Sequence, residues 1–241
     1  MQNLPYPDPT REKLLDAALP LVVFDGWGPE TFAASVSDSG VSPDLAAVAC
    51  PRGATDLAVA YHKRGDRALV AAYAAADTAE MTFRDKVTLA VWLRLQAVER
   101  EVVRRGMTLF SLPHLAPEGA RLLWETSDVI WTAVGDSSDD VNWYTKRATL
   151  SGVFGATVLF WLGDDSAEFV DTQAFLERRI ADVMQVEKVK AQMKGNRLAS
   201  AALMVPNFFL SKIKAPAGVR RCDVPGTQAA RAGVAQKGAV Q

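Results

Sequence analysis

The chain has 241 residues and a mass of 26.1 kDa, which fits one domain or slightly more. Hydrophobic residues make up 49% and charged residues 23%, a composition typical of globular rather than disordered proteins. A net charge of −1 gives no argument for nucleic acid, and two Cys with two His exclude a disulfide framework and a histidine-rich metal centre.

The charge is distributed unevenly along the chain. Residues 187–221 carry eight bases and one acid, so an acidic body precedes a basic C-terminal region. The longest uncharged stretch, 148–163, has sixteen residues, whereas a membrane-spanning helix needs about 20 apolar residues. Residues 1–10 are polar and contain three prolines, so we expect no secretory or transit peptide.

The N-terminal part of the sequence predicts three short helices. Apolar residues at helical spacing predict a first helix over 11–24, in which Pro20 predicts a kink or an early end. A second short helix is predicted over 31–37. Ser42 is a good N-cap and is followed by a proline, so a third helix should begin there and end near Ala49.

Longer helices are expected in the rest of the chain, and together they predict an all-α fold. Spacings of three and four between apolar residues predict helices over 56–80, 83–105, 118–134, about 140–162 and about 166–194. The helix that ends at residue 162 is apolar on nearly all sides, which indicates a central buried helix. A last amphipathic helix is expected over 196–214, and residues 215–241 should be disordered.

The first of these regions resembles the N-terminal domain of TetR-type repressors. The matching pieces are Arg11, Leu14 to Ala18, Gly26-Trp27, Gly40-Val41-Ser42 and Asp56-Leu57. The resemblance implies a TetR-repressor-like fold, with a degenerate helix-turn-helix subdomain over 10–55 and a helical ligand-binding and dimerisation domain over 56–194.

The charge of this region argues against DNA binding. From residue 28 to residue 51 there is no Lys or Arg, and three acids are present instead, Glu30, Asp38 and Asp44. A recognition helix needs basic residues on the phosphates and side chains that reach base edges. We therefore expect no nucleic-acid partner, and a ligand-responsive TetR-type transcription regulator is the alternative function.

A more specific motif lies in the second half of the chain. Residues 135–147 read GDSSDDVNWYTKR, and they are followed by Asp164-Asp165-Ser166 and by Phe175 to Ile180. Leu112-Pro113-His114 and Pro51-Arg52-Gly53 are further matches. Over residues 11–214 the chain resembles the accessory proteins of ubiquinone (coenzyme Q) biosynthesis, which are lipid-binding relatives of the TetR repressors.

This resemblance implies a non-catalytic protein that binds an isoprenoid quinone or its precursor, or a phospholipid. It would associate with the membrane surface as a homodimer and present the quinone precursor to the di-iron demethoxyubiquinone hydroxylase. The location implied is the bacterial cytoplasm, with peripheral association with the inner membrane. The partner-binding patch of the family falls on Ile130, Asp140, Trp143, Tyr144 and Arg147.

The residues themselves give partial support for that patch. Trp, Tyr and Arg are the residue types most enriched at the centres of protein interfaces. Trp143 also recurs with apolar residues on one helical face, a spacing that equally fits a position in the core.

The last amphipathic helix, 195–214, is predicted to bind the membrane surface. Its fourteen uncharged residues, 198–211, lie between basic residues and are too few to span a bilayer. The alternative is a helix packed on the body of the protein or on a partner subunit. The membrane-binding residues expected are Lys194, Arg197, Leu198, Met204, Phe208, Phe209, Lys212 and Lys214.

An apolar cavity between the C-terminal helices is expected to hold the lipid, although every candidate residue also suits an ordinary core. We expect no catalytic residue, metal or cofactor, because no nucleophile or phosphate-binding motif is present. A di-iron site would need Glu-x-x-His, and Val59 and Ser111 stand at that spacing before the two histidines. The lipid-binding candidates are Trp92, Leu95, Trp124, Trp131, Phe154, Trp161 and Leu203.

Overall fold

The computed structural model describes residues 7–138 and 141–194, with side chains described for 7–138 and 142–183. Within these ranges every regular element is helical, which confirms the all-α prediction. The helices are α1 (Pro9–Asp25), α2 (Pro29–Ser39), α3 (Pro43–Ala49), α4 (Ala54–Ala75), α5 (Phe83–Gln96), α6 (Arg100–Phe110), α7 (Ala116–Ala133), α8 (Val141–Leu162) and α9 (Val170–Lys194), with a 3-10 turn at Ala167–Phe169.

Pro20 does not end the first helix, so that part of the prediction is wrong. The ring removes the N–H that would bond to the carbonyl of Asp16, but Asp16 lies on the exposed side, where water can replace it. The helix continues because Leu14, Leu15 and Val22, on both sides of the proline, are all fully buried.

The single helix predicted over 83–105 is two helices, because tertiary packing interrupts it. The backbone N–H of Glu99 donates to the hydroxyl of Tyr61 at 2.7 Å instead of to a helical carbonyl. The break turns α6 so that Val102 joins a different core cluster from Val91. The helix predicted to run to residue 80 likewise ends early, at Ala75, where the backbone becomes extended.

Two core clusters organise the molecule, and α4 contributes to both. The N-terminal cluster is built from α1, α3 and the first half of α4, where Leu57 and Ala58 are buried, together with Val102 of α6. The C-terminal cluster is built from α5, α7, α8 and α9, together with Leu69 of α4. The domain boundary near residue 55 stays a prediction, because α4 runs through both clusters.

The start of α9 is fixed by one buried carboxylate, as the Asp164-Asp165-Ser166 sequence predicts for a helix start. Asp164 accepts hydrogen bonds from the backbone N–H groups of Ser166 (2.8 Å) and Thr172 (2.9 Å) and from the Thr172 hydroxyl (2.5 Å). These bonds lower the pKa of Asp164 far below its ordinary value because they stabilise its charged form.

Candidate functional site

The first candidate site is an apolar cavity of about 300 Å³ between the two core clusters. It lies at the lower end of the range of small-molecule sites, about 300–1,000 Å³. Helices α4 to α8 line it, and Trp27 closes it from the loop between α1 and α2. The break between α5 and α6 also contributes, through Val98.

Three of the predicted lipid-binding residues line this cavity, namely Leu95, Phe154 and Trp161. The other described candidates lie elsewhere. Trp92 lines a separate surface groove between α5 and α9, and Trp131 is buried against Phe83, with ring centroids 5.8 Å apart. Trp124 belongs to a surface cluster described below, and Leu203 lies outside the described residues.

One wall of the cavity carries a compensated group of polar side chains. The guanidinium of Arg94 donates from Nε to Asp66 at 2.7 Å, and both side chains are almost fully buried. It also donates to the backbone carbonyl of His62 at 2.9 Å. Asp66 accepts a further bond from Thr126 (2.9 Å), whose hydroxyl lies 2.7 Å from His62 Nε2.

His62 is held in its neutral form by this arrangement. Burial in the cavity wall, together with the positive charge of Arg94, lowers the pKa of His62 to about 4. The charge of Asp66 acts in the opposite direction without cancelling the effect. With the guanidinium paired and the imidazole neutral, this wall presents no uncompensated charge to a ligand.

A second feature is an aromatic surface cluster formed by Trp124 of α7 and by Trp143 and Tyr144 of α8, here called the aromatic patch. Trp143 and Tyr144 meet edge to face with ring centroids 4.8 Å apart. Trp124 lies 5.9 Å from the ring of Trp143 and 6.4 Å from that of Tyr144. All three side chains are half-buried, so each still presents part of its surface to the outside.

Arg147 supports the aromatic patch from beneath. Its guanidinium lies 4.0 Å from the centre of the Trp143 ring, and it donates to Asp128 and, at 3.4 Å, to Asp136. Only 3% of Arg147 is exposed. The residue therefore positions Trp143, by a cation–π contact and by two anionic anchors, and presents almost no surface of its own.

Asp136 joins this network to the start of α8. Burial alone would raise the pKa of Asp136, but hydrogen bonds from Lys146 and Ser138 more than offset it and lower the pKa. Lys146 donates to Asp136 and to Ser138, both at 2.6 Å. Asp136, Lys146, Arg147 and Trp143 thus form one connected unit.

The remaining predicted partner and membrane residues are placed as follows. Ile130 of α7 is fully buried in the C-terminal core and offers no surface to a partner. Asp140 lies outside the described residues. So do the side chain of Lys194 and the residues Arg197, Leu198, Met204, Phe208, Phe209, Lys212 and Lys214.

Sequence reasoning missed the polar residues of the cavity and its closing tryptophan. Trp27 follows the first helix as part of a Gly-Trp-Gly loop, which from sequence indicates only a turn. Tyr61, His62 and Arg94 lie in helices, and the spacing of apolar residues along a helix does not indicate which side chains line a cavity. A tryptophan between two glycines outside any helix was the one available signal.

The COQ9 sequence family matches the part of the chain that carries the aromatic patch. Residues 116–187 match the COQ9 family model. The resemblance to the ubiquinone biosynthesis proteins is therefore confirmed.

Curated COQ9 proteins match parts of the chain that are longer than the segment matched by the family model. The mitochondrial ubiquinone biosynthesis protein COQ9 of Homo sapiens is 28% identical over 195 residues, which covers 76% of this chain and 60% of that protein. The Bos taurus protein is 41% identical over 90 residues, covering 37% of this chain and 28% of that protein. A probable COQ9 of Dictyostelium discoideum is 27% identical over 210 residues, which covers 84% of this chain and 67% of that protein. The chain thus spans only part of the length of the mammalian relatives.

A solved structure shows the same fold. The TetR transcriptional regulator of Nitrosomonas europaea superimposes with a TM-score of 0.59 at 20% sequence identity, over 72% of this chain and 97% of that protein. The predicted TetR-repressor-like fold is confirmed. At this identity the likeness concerns the fold alone.

The comparisons contradict the expected location. The matched relatives are named as mitochondrial proteins, so the expectation of a bacterial cytoplasm is wrong.

No helix in 7–138 or 141–194 is long and apolar enough to cross a bilayer. Nor do the described residues bring three His, Cys, Asp or Glu side chains together where a metal ion could bind.

The neutral state of His62 predicts a specific loss of stability in mild acid. The unfolded chain binds a proton on His62 near pH 6.5 and the folded protein only near pH 4. The free energy of unfolding should therefore fall as the pH decreases from 6.5 to 4, by about 3 kcal/mol. Urea denaturation at successive pH values measures this free energy. The His62→Gln variant should show a flatter dependence of the free energy of unfolding on pH above pH 4.5.

The matched control is His114→Gln, which removes the other histidine at an exposed position. This variant should keep the wild-type profile. An identical pH dependence in the wild type and in His62→Gln would show that His62 is not held neutral by the fold.

Proposed function

We propose that this protein is a non-catalytic, lipid-binding accessory protein of ubiquinone biosynthesis. The observation that carries the proposal is the apolar cavity, because its lining shows no uncompensated charge, and because it lies in a chain similar to named ubiquinone biosynthesis proteins. Its ligand would be an isoprenoid quinone or its precursor, or a phospholipid. The lining has the mostly apolar character, with few polar groups, that small apolar ligands require.

The cavity could also serve a TetR-type regulator, but the N-terminal surface does not suit DNA. Helix α3, the counterpart of a recognition helix, exposes Leu45 and Val48, which are 48% and 76% exposed. The nearest bases are used internally, since Arg11 donates to the carbonyl of Ala49 and Arg52 pairs with Asp56 and Glu118. Phosphate binding needs free positive charge on this face.

The aromatic patch is the surface we propose for the protein partner, the di-iron demethoxyubiquinone hydroxylase. Trp124, Trp143 and Tyr144 form a pre-organised group of rings, since Arg147 and its carboxylate partners fix Trp143 from below. Rigid aromatic anchors lose little conformational entropy on binding and are the usual hot spots of interfaces.

We further propose that segment 195–214 binds the membrane surface and that the protein is a homodimer. Burying four large apolar side chains contributes roughly 1.5–3 kcal/mol each, and each nearby base adds about 1 kcal/mol at an anionic surface. The dimer is supported by apolar side chains exposed on α8 and at the start of α9, where Leu159 is 60% and Val170 54% exposed.

Filling the cavity should abolish lipid binding without unfolding the protein. Gly106 of α6 lines the cavity, and a Cβ placed there meets only Trp27 Nε1, at 3.8 Å. Gly106→Leu should therefore remove the lipid that copurifies with the wild type, as measured by mass spectrometry. Helix stability should rise slightly, because Leu is favoured over Gly by nearly 1 kcal/mol.

Gly152→Leu is the matched control, since Gly152 is an exposed helical glycine with no atom near its Cβ position. It should retain the lipid. Lipid at wild-type stoichiometry in Gly106→Leu would contradict the site, and wild-type protein that purifies empty and shifts duplex DNA would favour the regulator instead.

Removing the aromatic patch should weaken partner binding specifically. Trp143→Ala combined with Tyr144→Ala is expected to weaken binding of the purified hydroxylase at least about tenfold, a typical hot-spot effect. Surface plasmon resonance measures the affinity, and circular dichroism verifies that the helix content is retained. Phe24→Ala with Val48→Ala removes two exposed apolar side chains on the N-terminal part and should leave binding unchanged. Equal affinity of both double variants would eliminate the patch as the docking surface.

Membrane association should depend on residues 195–214. The full chain is expected to float with anionic phospholipid vesicles in a density gradient, and deletion of 195–241 should abolish flotation. Deletion of 215–241 is the matched control and should leave flotation intact, because it keeps the amphipathic segment. Flotation of the longer deletion would refute the assignment.

A further inference from the structure

An unpaired hydrogen-bond donor lies in the cavity lining. Trp27 is only 8% exposed, and its indole Nε1 has no hydrogen-bond partner among the described residues. Gly106, which also lines the cavity, lies close to this nitrogen. A buried donor left unpaired costs about 1–3 kcal/mol, and buried tryptophans usually find a partner. An acceptor supplied by the ligand would remove this cost.

Tyr61 supplies a second donor on the same side of the cavity. Its ring centroid lies 6.2 Å from that of Trp27, and its hydroxyl oxygen accepts the N–H of Glu99 at 2.7 Å. A phenolic hydroxyl both accepts and donates, so its own proton stays available to a ligand. Trp27 and Tyr61 thus offer two neighbouring donors in a cavity whose lining is mostly apolar.

The charges around the cavity select for an uncharged ligand. Arg94 is neutralised by Asp66, and His62 is neutral near pH 7. A carboxylate or phosphate placed here would be desolvated without a free cation among the described lining residues, which is strongly unfavourable. Carbonyl and ether oxygens accept hydrogen bonds without carrying a charge.

We propose that Trp27 and Tyr61 donate hydrogen bonds to the ring oxygens of a prenylated quinone, so that the cavity receives the quinone head and not only an isoprenoid chain. This inference rests on the lipid-binding function proposed above and names the group that is recognised. The volume of about 300 Å³ suits a ring with the first part of its chain rather than a whole polyprenyl lipid. Leu95, Phe154 and Trp161 supply the apolar walls.

Trp27→Phe tests the proposal with two ligands, a ubiquinone carrying two isoprenoid units and a linear isoprenoid hydrocarbon of similar size. Equilibrium dialysis measures both affinities. The variant should bind the quinone about three- to tenfold more weakly, the effect of one lost hydrogen bond. Its affinity for the hydrocarbon should not change, because phenylalanine keeps most of the apolar contact.

Two further variants complete the design. Tyr61→Phe should reproduce the selective loss, which keeps the test decisive if Trp27→Phe is poorly folded. Trp131→Phe is the matched control, because Trp131 is the other buried indole without a described hydrogen-bond partner, but it lies outside the cavity. It should bind both ligands like the wild type.

The outcomes separate this inference from the function on which it rests. A loss for the quinone alone supports it. Equal losses for quinone and hydrocarbon, or no loss for either, overturn it while leaving lipid binding in place. Wild-type protein that binds neither ligand overturns the proposed lipid-binding function itself, and this inference with it.

Discussion

The structure depends on one buried ion pair, Arg94 with Asp66, at the junction of α4, α5 and α7. The guanidinium lies directly against Gly65, where a Cβ would overlap it, so this placement of the Arg94 side chain requires glycine at residue 65. Breaking such a pair by removing one partner costs about 3–5 kcal/mol, because a buried charge is left uncompensated. The pair sets the spacing of three helices that line the cavity, and it also keeps that cavity free of net charge.

Pairing of basic side chains within the protein also explains how the N-terminal helices keep a repressor-like fold without a DNA-binding surface. Glu12 of α1 holds Arg64 and Arg67 of α4, both at 2.6 Å, and so fastens the N-terminal helices to the body. Arg105 of α6 donates to the carbonyl of Val23 at the end of α1. Bases near this junction thus stabilise the packing of helices, a use that places them out of reach of a phosphate backbone.

Much of this fold follows from the sequence, because it depends on local patterns. The apolar stripe of α1, the cap at Ser42 and the helix from 141 to 162 result from spacing and capping chemistry that a single segment contains. The break before Arg100 does not, since it depends on a hydroxyl from Tyr61, 38 residues earlier in the chain. The periodicity of apolar residues within one segment does not indicate a hydrogen-bond partner so far away in the chain.

The candidate site divides in the same way. Trp143, Tyr144 and Arg147 were found together because they are neighbours in the chain and match a family motif. Trp124 and Trp131 lie two turns apart on nearly the same side of α7. Trp124 nevertheless belongs to the aromatic patch and Trp131 to the core, because the residues packed against them from elsewhere in the chain differ. Trp27 was missed since only tertiary structure brings its loop to the cavity.

The cavity and the aromatic patch share one helix pair, α7 and α8. On α7, Leu123 lines the cavity and the adjacent Trp124 belongs to the patch. On α8, Phe154 lines the cavity two turns after Arg147, a rise of about 10 Å. The pair is held close by Ser127 and Ser151, whose hydroxyls lie 3.0 Å apart. The rings of the patch come from both helices, so their mutual contacts depend on the spacing of α7 and α8, the same two helices whose side chains line part of the cavity.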